Sequence, residues 1–196
     1  MKRLSLLAIS ITALFFLFSC KGGTPKRVVS EVPIKAEVLG LKLCDKTNED
    51  IVEETLEDAT DNLMMTDTQK NGTGMVVRAV PASMSFKYGG LAWNYVDVSL
   101  NESMQIVSIS LVGSYESIDN AKAQFDAARQ IFAQKYGKGN DNAKYQNIFW
   151  TDNTNSVGLS YLEASAINGN DRSFCTLYYV NRALSDAFDK ANTPDI

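Results

Sequence analysis

Twice along this 196-residue chain an apolar spacing of three and four residues gives way to strand-like runs, the first time with clear alternation, and this double change of pattern constrains the fold most. Val52, Leu56, Ala59 and Leu63 make a helical stripe over about residues 48–64. Thr47 is its expected N-cap, with Asp50 three residues on. The pattern then alternates, with Met84, Phe86 and Tyr88, then Val96, Val98 and Leu100, then Val107, Ile109 and Leu111 at every second place. A second helix is predicted from Ile118 to Tyr136, where Ile118, Ala121, Phe125, Ala128 and Phe132 form the stripe and Gly137 is the stop. Strands resume over 145–151, 157–162 and 172–180, the last with Phe174, Thr176, Tyr178 and Val180 toward the core. Residues 183–191 close the pattern with a short amphipathic turn that offers Leu184, Ala187 and Phe188 to the body.

Turn residues at Asn71-Gly72, Gly89-Gly90 and 101–103 join these strands without intervening helices, so the pairing is antiparallel. The expected class is therefore α+β, an antiparallel β-sheet of about seven strands with two main helices packed on one face. The order of elements echoes itself as a tandem helix-plus-meander repeat, with pseudo-repeats 34–114 and 115–180 inside a single domain spanning 34–191. Residues 192–196 are a tail.

Before that domain lies a different kind of segment. Lys2 and Arg3 precede an uncharged apolar run over 4–18, too short for the roughly 20 residues that cross a bilayer as a helix but suited to the core of a cleaved signal, 1–19. Leu17, Ser19 and Cys20 resemble the lipobox of bacterial lipoproteins, although Phe18 is bulkier than that family's usual residue. The resemblance implies lipidation of Cys20 and cleavage before it. It also implies a location in the bacterial cell envelope, lipid-anchored, on the periplasmic side of the outer membrane or exposed at the surface. Several acyl chains on one residue hold a protein stably where one would not. Residues 20–33, with Gly22, Gly23, Thr24 and Pro25, are expected to serve as tether and linker.

Charge and missing residue types exclude several functions. Losing Lys2 and Arg3 with the signal, and no acidic residue, takes the net charge from −4 to −6, which argues against nucleic acid and against a polybasic grip on anionic lipid. Histidine is absent, which removes Ser-His-Asp catalysis and the commonest zinc partner. Once Cys20 is assigned to lipid, Cys44 and Cys175 remain, either as a disulfide or as two unpaired thiols.

Three further features have a plain reading and a sharper one. Glu49, Asp50, Glu53, Glu54, Glu57, Asp58 and Asp61 crowd one helix face, either solvated or a docking surface for a basic partner. Asp152, Thr154, Ser156 and Glu163 match four positions of a calcium loop, but Val157 stands where that loop requires Gly, so a polar hairpin is expected and no metal. Trp93 and Tyr95, with Trp150, are packing residues or a platform that stacks on a glycan or anchors a protein.

Over about residues 34–180 the element order, with phrases such as Lys135-Tyr136-Gly137, resembles small envelope lipoproteins of Bacteroidetes-type bacteria. More loosely it is similar to the tandem helix-plus-sheet repeat of β-lactamase inhibitory proteins. These resemblances imply a non-catalytic, membrane-tethered lipoprotein without cofactor, working through an envelope protein partner or as structural support. The alternative is a glycan or small-ligand binder using Trp93, Tyr95 and Trp150.

Overall fold

The computed structural model describes residues 28–60, 64–142, 146–163 and 172–192. Its elements in chain order are β1 (Glu37–Val38), β2 (Leu41–Lys42), α1 (Glu49–Thr60), β3 (Met64–Asn71), β4 (Gly74–Pro81), β5 (Phe86–Tyr88), β6 (Leu91–Trp93), β7 (Tyr95–Leu100) and β8 (Ile106–Tyr115). There follow α2 (Ile118–Tyr136), β9 (Asn140–Asn142), β10 (Asn147–Thr151), β11 (Asn155–Glu163), β12 (Ser173–Asn181) and α3 (Arg182–Asn192). An eight-stranded sheet runs β3-β4-β7-β8-β12-β11-β10-β9, antiparallel throughout. Each long helix is thus followed by four strands of this sheet. The final strands of the two passes pair at its centre, where Leu111 lies opposite Leu177.

The helix predicted over 118–136 forms with those bounds. The Ser117 hydroxyl accepts the Asn120 N–H, satisfying one donor of the first turn, and Gly137 takes φ 77° while its N–H donates to the Ala133 carbonyl. The first helix departs from expectation at both ends. Its cap is Asn48, whose side-chain oxygen accepts the Ile51 N–H at 2.9 Å, and Thr47 lies one residue outside. The helix ends at Thr60, because Met64 already pairs with Pro81 in the β3–β4 hairpin. Ala59 is exposed, and Asp61 and Leu63 lie outside the described residues.

The Asn71-Gly72 turn is where expected, but β3 has few apolar residues beyond Met64 and Met65 and shows no alternation by which to predict it. Met84 is likewise no strand residue. It is 79% exposed at φ 65° in the turn before β5.

One core holds the two long helices on one side of the sheet. Val52 and Leu56 of α1, and Phe125 and Phe132 of α2, pack in a cluster with Val77, Val98, Ile109, Leu159 and Leu177. Each such buried side chain contributes about 1.5–3 kcal/mol relative to exposure. In β12 the core face is Cys175, Leu177 and Tyr179, the reverse of the face expected. Pairing with β8 sets this register, and a one-residue slip would move every side chain across the sheet. Tyr179 then meets the Phe132 ring at 6.4 Å and the Tyr88 hydroxyl at 3.3 Å. Phe174, Thr176, Tyr178 and Val180 consequently point to the second face. There Val112 and Val180 are buried outside the core cluster, and α3 packs against β8 and β12 after a cap in which Asn181 accepts the Leu184 N–H. The side chain of Phe188 lies outside the description.

Candidate functional site

The aromatic platform does not assemble. Trp93 is fully buried in the β5–β6 hairpin opposite Phe86, with its indole N–H donated to the Tyr88 carbonyl at 3.1 Å. Trp150 is 1% exposed, lies 5.7 Å from the Phe132 ring and donates to the Gly137 carbonyl at 2.8 Å. Both indoles have spent their polar handle inside the protein, so neither ring face is open to a sugar. Trp93 closes the β5–β6 hairpin within the core cluster, whereas Tyr95, two residues on, opens β7 opposite Val112, which is buried outside that cluster.

On that second face Tyr95 has different neighbours. Register places Arg78 of β4 directly opposite Asp97 of β7. The guanidinium Nε and Nη2 each donate to one carboxylate oxygen at 2.7 Å, and the guanidinium carbon stands 4.3 Å from the Tyr95 ring centroid. Such a fork is stronger than a point contact and is aimed by its geometry. Burial would lower the Arg78 pKa, but the hydrogen bonds and charge of Asp97 outweigh it and raise the pKa. Burial, reinforced by the Asp97 charge, pushes the Tyr95 hydroxyl up to about 12. The trio therefore holds a guanidinium charge and a neutral phenol at neutral pH.

Around it Val76 and Val80 flank Arg78 along β4, and Ser110 lies opposite Asp97 on β8. All six of these side chains are partly buried. The strand pattern showed Tyr95 and Asp97 alternating with Val96 and Val98. Arg78 escaped sequence reasoning because only strand pairing brings it there.

Cys44 and Cys175 are both free thiols, which overturns the disulfide. The Cys44 N–H donates to the Ile106 carbonyl at the start of β8, whereas Cys175 pairs with Gly113 near its end. Seven residues of strand separate those points by roughly 23 Å, far beyond the roughly 7 Å limit between bridged Cα atoms. Burial pushes the Cys175 thiol up to about 12, and burial with the Asp45 charge raises Cys44. Neither is an activated nucleophile.

Asp152 sits in a polar hairpin loop, as expected. Its Oδ1 accepts the N–H groups of Thr154 and Asn155 at 2.7 Å each, and Oδ2 accepts that of Ile34 at 2.6 Å. Burial alone would raise its pKa, but the Asn155, Thr154 and Ile34 N–H groups and the charge of Arg182 hold it below the ordinary value. The carboxylate is committed to backbone. On α1, Glu53 accepts the Thr66 hydroxyl at 3.2 Å, while Asp50, Glu54 and Asp58 are exposed.

Residues 28–33, expected as linker, are docked. Val28 exchanges two 2.8 Å hydrogen bonds with the Asn140 side-chain amide, and the Ser30 N–H donates to the Thr151 carbonyl at 2.7 Å. Cys20 and its neighbours to residue 27 lie outside the described residues. Among the described residues no helix is long and apolar enough to cross a membrane.

Comparison with known protein families, with curated proteins and with solved structures returns no match for this chain.

Proposed function

We propose that the mature protein is held to the envelope membrane by lipid on Cys20 and acts without catalysis, recognising another envelope protein through the partly open sheet face around Tyr95, Arg78 and Asp97. The observation that carries this reading is the bidentate Arg78–Asp97 pair stacked on Tyr95 at the surface of a rigid sheet. Arg and Tyr are the residue types that concentrate binding energy in protein interfaces, and these two are already ordered before any partner arrives. Two of the five guanidinium N–H groups are spent on Asp97.

Burial of Trp93 and Trp150 weighs against the glycan reading, and Arg78 occupies one face of the Tyr95 ring. The two helix-plus-four-strand passes support reading 34–114 and 115–180 as repeats whose joining makes one broad recognition sheet. Placement on the periplasmic side of the outer membrane belongs to the same proposal.

Two measurements test it. Intact mass of the membrane-purified protein should show cleavage before Cys20 and added acyl chains; an unmodified Cys20 sinks the tether. Photo-crosslinkers placed at Val76 and Ser110 should trap one protein in intact cells that a crosslinker at Gln130 on α2 does not. Trapping of the same species from both faces, or of glycan alone, refutes recognition through this face.

A further inference from the structure

Net charge argued against attraction to anionic lipid, but folding sorts that charge. Lys35 lies a hundred residues before Lys135 and Lys138, yet its backbone meets the same Tyr136 that they flank in sequence. The Lys35 N–H donates to the Tyr136 hydroxyl at 3.5 Å, the Lys135 ammonium lies 4.9 Å from its ring centroid, and Lys138 follows Gly137 at the end of α2. All three are exposed, and none lies within ion-pair distance of a carboxylate among the described residues. Of the acids nearby, Asp141 is paired with Arg129, Asp152 accepts the backbone N–H groups of Ile34, Thr154 and Asn155, and Glu31 and Glu37 are exposed.

The docked strap brings the chain to the same corner. Ser30 reaches the Tyr136 carbonyl, Val28 is fastened to Asn140, and Val28, Val29 and Val32 are 43%, 51% and 44% exposed. From Val28 the eight residues 20–27 carry Lys21, Lys26 and Arg27 and no acid, and they span at most about 28 Å to Cys20. α1 packs by Val52 and Leu56 on β3 and β4, at the far end of the sheet from β9, and also meets the β1–β2 hairpin, where Thr55 lies against Gly40; its acids Asp50, Glu54 and Asp58 are exposed.

We infer that the corner formed by Lys35, Lys135, Lys138 and the exposed valines of the strap is a membrane-docking surface for anionic phospholipid headgroups. The lipid tether delivers this corner to the leaflet. The inference rests on the tether reading for its biological setting, since the tether brings the corner within reach of the headgroups. Basic residues at an anionic leaflet each strengthen binding about fivefold, an attraction that salt screens.

The test supplies a substitute tether so that it runs whatever becomes of Cys20. The chain from residue 20 onward, with Cys20→Ser and a terminal hexahistidine, is held on nickel-chelating phosphatidylcholine vesicles with or without phosphatidylglycerol. Amide exchange over residues 28–35 and 135–140 should slow only when phosphatidylglycerol is present. That protection should vanish in high salt and in the Lys35→Gln, Lys135→Gln, Lys138→Gln variant, whose unfolding midpoint should match the parent because all three side chains are exposed. Without the histidines, the triple substitution should cut co-sedimentation with phosphatidylglycerol vesicles by more than tenfold. Identical exchange on both vesicle types, or protection on α1 or β3 instead, overturns the inference. Absence of lipid on Cys20 by intact mass would instead overturn the tether and leave this result standing.

Discussion

Arg78 and Asp97 face each other across β4 and β7, and the guanidinium donates two hydrogen bonds of 2.7 Å to the carboxylate, with side chains only 18% and 15% exposed. A pair this sheltered is worth more when broken than when replaced whole, because the surviving charge keeps its desolvation cost.

Asp97→Ala should therefore destabilise the fold by about 1–3 kcal/mol, below the cost at a fully buried site because some water still reaches the pair. Arg78→Met with Asp97→Leu should recover most of that loss. Urea unfolding of the singles and the double gives the coupling; simple additivity would mean that the pair carries no interaction energy.

The two thiols should differ in access. With no reductant added, Cys44 should label slowly in the native protein and Cys175 only after unfolding, because burial raises both thiols and pushes Cys175 to about 12. Mass spectrometry of the alkylated chain reads the outcome. A mass two hydrogens lower before reduction, with no label taken up, would restore the disulfide.

Gly158 lies directly opposite Tyr178, whose ring covers it so closely that a Cβ would overlap the ring. Gly158→Ala should cost about 1–3 kcal/mol by forcing that ring aside. In a Tyr178→Ser background the same substitution should cost clearly less. Equal costs in the two backgrounds would show that strand conformation, and not the ring, selects glycine.

Asp152 has its folded pKa held below the ordinary 3.8. The unfolded state thus binds more protons in this range, so the stabilisation is complete well above pH 3.8 and fades as pH falls through the lower folded value. Urea midpoints measured from pH 6 downward should drop for the parent. Asp152→Asn should start lower and lose less between pH 5 and pH 2, and it should speed amide exchange at Ile34. Parallel pH curves would remove Asp152 from the acid response.

Much of the architecture was legible because it depends on local period. The apolar stripe of α2, its glycine stop and the alternation in β7 each express one face buried against one solid neighbour, whereas β8, read from the same alternation, is buried on both faces over most of its length. What escaped lacked that contrast. β3 is a largely polar edge strand, and β12 carries apolar side chains on both faces, Phe174 and Tyr178 as well as Leu177 and Tyr179, so alternation could not say which set met the helices. The expected platform of Trp93 and Trp150 failed for a related reason: an aromatic ring in a strand looks the same in sequence whether its N–H finds water or a carbonyl.

By itself the sequence determined the α+β class, the antiparallel pairing, the bounds of α2, and the absence of any histidine-based chemistry, all properties of residue type and spacing. Only the tertiary structure decided the rest, because register and sheet order bring together residues far apart in the chain. Pairing of β4 with β7 created the Arg78–Asp97–Tyr95 cluster. Pairing of β8 with β12 turned Cys175 inward and held it far from Cys44. Docking of the strap on Asn140 and Thr151 gathered lysines from two distant segments at one corner.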